Sequence, residues 1–390
     1  MAAVATFLRH TPKTALQSYF QQEAFLLDPP VNWAAPEPEI IKPLLRAVDQ
    51  MSDLERDRLV TVVDRVAAMA DAVGDGAIYS VTDPKDRPWL DAMANAHERA
   101  LQTYLQFPER FRRAEEARFS DERRGGRMWD GFLGPVNQTV RRDQAAIDAF
   151  KADIQAHFSS PHVHIDIFNR YRPTFGGTDR SLLQATVYRE GRPDDFLEFI
   201  AGTLDRRPRR PVFEAAMSYE PATGVIEVVA QHIHSRADLV RLFARNLLAT
   251  EFEQDRVPMR RFDLAVLAQP FAFPTDLTDN IDSVRVNMLR LKPIDSQGER
   301  VTLEVMRESQ RTIWELAEQR FGDTNPLLGG WTITQARITI RFKPEAGAGR
   351  GKTLPLTIST PHGCDLKDRT ERERLIGEKY LRRWDLLQDI

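Results

Sequence analysis

The spacing of apolar residues divides the chain into a helical front and a strand-rich back. Ser52-Asp53-Leu54-Glu55 has the form of a capping box, and Leu59, Val62, Val63, Val66, Met69 and Ala70 follow at helical spacing. This predicts a helix from 52 to about Gly74. Trp89, Met93, Leu101 and Leu105 make one stripe and predict another from about Pro88 to Gln106. A short helical entry stops at Asp28-Pro29-Pro30, a helix opens at Ala35-Pro36-Glu37 and runs to about Gln50, and Pro108 opens a charged helix that fails at Gly125-Gly126. The last front helix covers about Asp143 to Phe158.

After Pro161 the period drops to two. His162-Val163-His164-Ile165-Asp166-Ile167 reads as a strand with its polar positions on a wet face. Further strands are predicted at about 181–190, 195–201, 211–220 and 224–231, and Ser235-Arg236-Ala237-Asp238 is expected to cap a helix to about Leu248. A Pro- and Asp-rich stretch from Pro270 to Asp282 precedes a second set: strands at about 284–292, 300–306, 331–343 and 354–359, with helices at about 309–321 and 371–388. The expected fold is α+β: an all-helical domain over 1–158, then mainly antiparallel α+β modules over 161–270 and 283–390. No residue-level repeat links the two modules.

Composition changes this picture little. The chain has 390 residues, is 42% hydrophobic and 28% charged, and contains 6 Trp and 21 Phe, which is ample for large cores. A single cysteine, Cys364, excludes an internal disulfide and a multi-cysteine zinc site. No apolar run approaches the roughly 18 residues of a membrane span. The expected location is therefore the cytoplasm, with no membrane partner. At a net charge of −3 the chain has no overall positive field to draw in nucleic acid. Its basic residues are mostly arginine, which a GC-rich bacterial genome explains as well as anion recognition does.

Most catalytic motifs fail their context. Ala346-Gly347-Ala348-Gly349-Arg350-Gly351-Lys352-Thr353 matches a permissive phosphate loop, but Leu354-Pro355-Leu356-Thr357-Ile358-Ser359 follows as a strand where a helix is required. A glycine-rich hairpin loop accounts for every residue. Glu214 and Glu227 lack the lysine that a metal-dependent nuclease would place two residues after the acid. Cys364 and His362 share a turn, a poor geometry for a thiol–imidazole pair.

Two constellations remain. His162 and His164, and likewise His232 and His234, are alternate residues, so each pair can present two imidazoles on one strand face; with Asp166 they form a candidate metal site. The competing explanation is that these are the polar residues of solvent-facing strands. The second constellation is arginine-rich: Arg112, Arg113, Arg123, Arg124 and Arg127 beside Trp129, and Arg206, Arg207, Arg209 and Arg210 in an expected loop. Such groups can grip phosphates and stack a base. A salt-bridged helix and an edge-protecting loop explain the same residues. The apolar stripe Leu375, Ile376, Tyr380, Leu381, Trp384 and Leu387 fits either docking on its own domain or a partner protein.

Taken together, the sequence reads as a non-catalytic regulatory or interaction protein, a subunit of a multi-component bacterial system. Its partner is expected to be a protein, with nucleic acid or a phosphate ligand as a further contact through the arginines. The alternative is a metal-dependent hydrolase or phosphodiesterase built on the two histidine pairs. No cofactor is named by the sequence.

Overall fold

In the computed structural model the described residues are 2–124, 126–172, 179–252, 260–295, 298–306, 308–344, 350–360 and 363–389. The chain is α+β and forms two compact units, Met1–Asp255 and Arg256–Ile390. The helices that open the chain and the first sheet fall in the same unit, so the sequence division near 160 lies inside it.

The first unit begins with eight helices: α1 (Ala2–His10), α2 (Lys13–Gln22), α3 (Glu37–Gln50), α4 (Asp53–Met69), α5 (Ala72–Val81), α6 (Arg87–Asp91), α7 (Ala96–Gln106) and α8 (Pro108–Arg123). The capping box at Ser52 and Glu55 forms as expected. Leu59, Val63 and Val66 of α4 are fully buried in a core shared with α1, α2, α3 and α7. Two expected helices are each broken in two. The Asp71 carboxylate accepts from Val73 N at 3.0 Å and Gly74 N at 2.8 Å, capping a new helix where the sequence reading runs on. Gly74 permits the tight passage, since a Cβ there would lie 2.4 Å from Met69 Cα. Asn95 does the same for α7, accepting from Glu98 N at 3.0 Å.

The remainder of this unit contains β1 (Trp129–Leu133), α9 (Gln144–Phe158), β2 (Val163–Arg172), β3 (Arg180–Glu190), β4 (Asp194–Ile200), β5 (Thr203–Arg209), β6 (Val212–Glu220), β7 (Val225–Ala230) and α10 (Ile233–Phe243). An antiparallel sheet runs in the order β1-β7-β6-β3-β2, while among the described residues β4 and β5 pair only with each other. One face of the sheet buries Val187, Met217 and Val228 against Phe150 of α9 and Leu239 and Phe243 of α10. The other face meets α5 and α8. It carries the polar alternates of the same strands, so the face expected to be wet is largely covered by helices.

The second unit holds β8 (Arg260–Phe262), β9 (Ile281–Pro293), β10 (Val301–Glu304), α11 (Ile313–Phe321), β11 (Trp331–Phe342), β12 (Thr353–Ser359), β13 (Gly363–Cys364), α12 (Glu371–Arg383) and β14 (Leu387–Asp389). Its five-stranded sheet runs β10-β9-β11-β12-β13, and β14 pairs with β8. The stripe of α12 docks within its own unit: Tyr380, Leu381 and Trp384 are buried, and Trp384 Nε1 donates to Pro274 O at 3.0 Å. The glycine-rich segment connects antiparallel strands, with Arg341 opposite Thr353, and no helix follows it. Its residues 346–349, and His362 beside Cys364, lie outside the described residues.

Candidate functional site

Between α8 and the polar sheet face lies a chain of charges. Arg112 donates from Nη1 to Glu116 Oε1 at 2.6 Å and from Nη2 to Asp166 Oδ2 at 2.8 Å. Arg113 donates from Nε to the same Asp166 oxygen at 3.2 Å and lies over the Phe168 ring. Arg124 Nε and Arg172 Nη2 both donate to Glu227, at 2.5 and 2.9 Å. Arg170, only 2% exposed, reaches Gln184 Oε1 at 2.8 Å and also Asp121. Alternating polar positions on β2, β3 and β7 meet one side of α8 and the residue after it through Asp166, Arg170 and Glu227, while Arg172–Glu227 and Arg170–Gln184 join strand to strand.

Electrostatics in this seam follow burial. Desolvation alone would raise the Glu227 carboxyl, but the Arg124 and Arg172 guanidiniums overcome it and hold the group far below the usual carboxylate range. Tyr188 Oη donates to Glu116 Oε1 at 3.1 Å and Glu214 Oε1 at 3.4 Å. Burial and the Glu116 charge push Glu214 up to about 7. Glu116 is raised by burial, Arg112 opposing, and Tyr188 is raised by burial and by both carboxylates.

The arginine cluster of the helical region is thus largely committed inside the molecule. Arg123 stacks on Phe119 at 4.1 Å, Arg127 is exposed, and Trp129 stands on β1 instead of at the tip of a turn. Pairing in the seam accounts for Arg112, Arg113 and Arg124.

The histidine pairs are not brought together. His162 is exposed, 3.8 Å from Glu190; His164 is exposed on β2; Asp166 is buried beneath Arg112 and Arg113. The strand expected to carry the second pair ends at Ala230. His232 is the N-cap position of α10 with its ring 5.6 Å from Phe213, and His234 is exposed in the first turn. Ile233, between the two histidines, is 56% exposed. The expected cap at Ser235 is replaced by a clamp: buried Arg236 donates to Ala230 O at 2.9 Å and Asp130 Oδ2 at 3.1 Å. Among the described residues no group of three or more His, Cys, Asp or Glu side chains is placed to hold a metal ion.

The other arginine cluster stands on an element the sequence reading missed. Residues 203–209 form a strand, β5, paired with β4 across the two-residue turn Ala201-Gly202, both residues at positive φ (47° and 80°). That is the turn a right-twisted hairpin prefers. Arg206, Arg207, Arg209 and Pro208 disguise the strand; the signal for it is Gly202. The resulting arm is exposed nearly throughout.

Its two faces differ. On one, Arg207 bonds Glu198 at 2.9 Å, and Arg209 bonds Asp194 at 3.2 Å and stacks on Phe196 at 4.1 Å. Arg210, just beyond β5, lies 3.4 Å from Glu190. The other face presents Leu197 (48% exposed), Phe199 (75%) and Leu204 (56%) with Asp195 and Arg206. Neither Asp195 nor Arg206 takes part in an ion pair among the described residues. This apolar face is the candidate site.

No protein-family model matches the chain, and no curated protein matches it.

Proposed function

We propose that this protein works as an interaction subunit and that the β4–β5 arm is its docking element for another protein chain. The supporting observation is the arm itself: a two-stranded hairpin, exposed nearly throughout, with Leu197, Phe199 and Leu204 in water on one face. An isolated hairpin is marginal in water, and clustered exposed apolar side chains mark contact surfaces. Burying a leucine or phenylalanine side chain fully contributes about 1.5–3 kcal/mol, so a partner covering this face gains substantially.

The charges favour protein over nucleic acid. Of Arg206, Arg207, Arg209 and Arg210, three are held by Glu198, Asp194 and Glu190, which leaves Arg206. Gripping a phosphate backbone takes several uncommitted cations.

A photoreactive residue in place of Phe199, in the full chain within the cells that make it, tests the reading. Discrete protein adducts are expected from position 199 and not from Leu54, which is 74% exposed on α4 of the same unit. Equal labelling at the two positions, or adducts containing nucleic acid only, would overturn it.

A further inference from the structure

We infer that the partner is a second copy of this chain, its arm packed face to face on the first about a two-fold axis running along the hairpin. The inference rests on the arm being the docking element. An isologous contact requires one patch to complement itself. The apolar face meets that condition in two ways.

First, Phe199 and Leu204 are cross-strand neighbours at the tip. A two-fold axis along the hairpin lays β4 over the second copy's β5, so Phe199 of each copy meets Leu204 of the other. Tip packs on tip, with apolar surface on apolar surface. Second, the same face carries one acid and one base, Asp195 and Arg206, that leave their opposite charges unused within the chain. On the opposite face every charge on the strands except Asp205 is paired internally. In the two-fold arrangement Asp195 comes two positions along the strand from Arg206 of the second copy, about 7 Å, across sheets about 10 Å apart. An arginine and a carboxylate side chain span that together, forming two symmetric ion pairs. The chain's net charge of only −3 opposes this pairing little. Contacts made by two arms alone are at the small end of protein interfaces, so the dimer is reversible and concentration-dependent.

Sedimentation velocity of the full chain over a wide concentration series tests this. Wild type is expected to pass from monomer to dimer. F199K, D195R and R206D are each expected to weaken association by roughly tenfold or more, because each opposes like charges or wets the apolar contact. An equimolar mixture of D195R and R206D is expected to restore wild-type association, since each altered position then faces its opposite sign. A role confined to one chain cannot be rescued by mixing. Unchanged melting temperatures assign these losses to association and not to folding.

A wild type that stays monomeric throughout, or a mixture no tighter than either variant alone, would falsify self-association. Protein adducts at position 199 with a monomeric wild type would overturn the second copy while leaving the docking arm standing. A monomeric wild type with no adducts at 199 would overturn both.

Discussion

On one face of the first sheet, Val187, Met217 and Val228 meet Phe150 and Phe243; on the other, Asp166, Gln184 and Glu227 meet or lie beneath the charged helix α8. Both faces are covered, yet they cohere by different physics. The apolar face is held by non-directional burial and tolerates small shifts of its helices. The charged face must repay desolvation through specific pairs, so it fixes the position of α8 residue by residue. The helices before it also own a separate apolar core, so this boundary inside the unit has the polar character of a domain interface. A covered face need not be a hydrophobic one.

Four measurements sharpen that contrast. The largest effect is expected from Glu227→Gln, which leaves Arg124 and Arg172 without their shared carboxylate; chemical denaturation should show a loss of about 3–5 kcal/mol. Met217→Ala on the apolar face should cost about 2–5 kcal/mol by cavity formation, but with no dependence on pH. A pH-independent cost for Glu227→Gln would erase the distinction between the faces.

The pH dependence has a definite sign. Glu227 is depressed in the folded state, so its stabilisation is present above its unfolded value of 4.5 and is lost as pH falls below it. Glu227→Gln should flatten that acid limb. Glu214 runs the other way: its proton binds more tightly in the folded state, so stability falls as pH rises from 4.5 to about 7. Melts of Glu214→Gln across that window should lose this slope, an effect of about 1–2 kcal/mol after allowance for its partial exposure. The smallest change belongs to the arm. Phe199→Lys should leave monomer stability within about 0.5 kcal/mol, because its side chain is 75% exposed. A larger loss would show that the arm is structural.

Much of the fold was legible in the residues. The capping box at Ser52, the strands at 181–190 and 331–343 and the turn to helix at Asp143 all appear as read. Local chemistry suffices there, since caps and period-two alternation act within a few residues. The breaks at Asp71 and Asn95 were missed because an apolar stripe runs through them, although each carries its own capping residue. β5 was missed because arginine and proline argue against a strand, and only its pairing with β4 overrides them. The candidate metal residues were legible as types but not as a site. Alternate spacing puts His164 and Asp166 on one face, while α8 claims the aspartate and leaves the histidine in water.

By itself the sequence determined which positions alternate and where most helices begin, because those depend on the backbone and its nearest neighbours. What covers each face was decided only by the tertiary structure. Asp166, His164 and Arg206 are all polar side chains at alternating strand positions. One is buried under two arginines, one lies open beside Tyr188, and one stands beside an uncovered apolar patch. The physical reason is that a charge's state depends on partners brought from far along the chain. The pairs that α8 and the residue after it make with β2 and β7 span 49 to 103 residues, a separation no local pattern encodes.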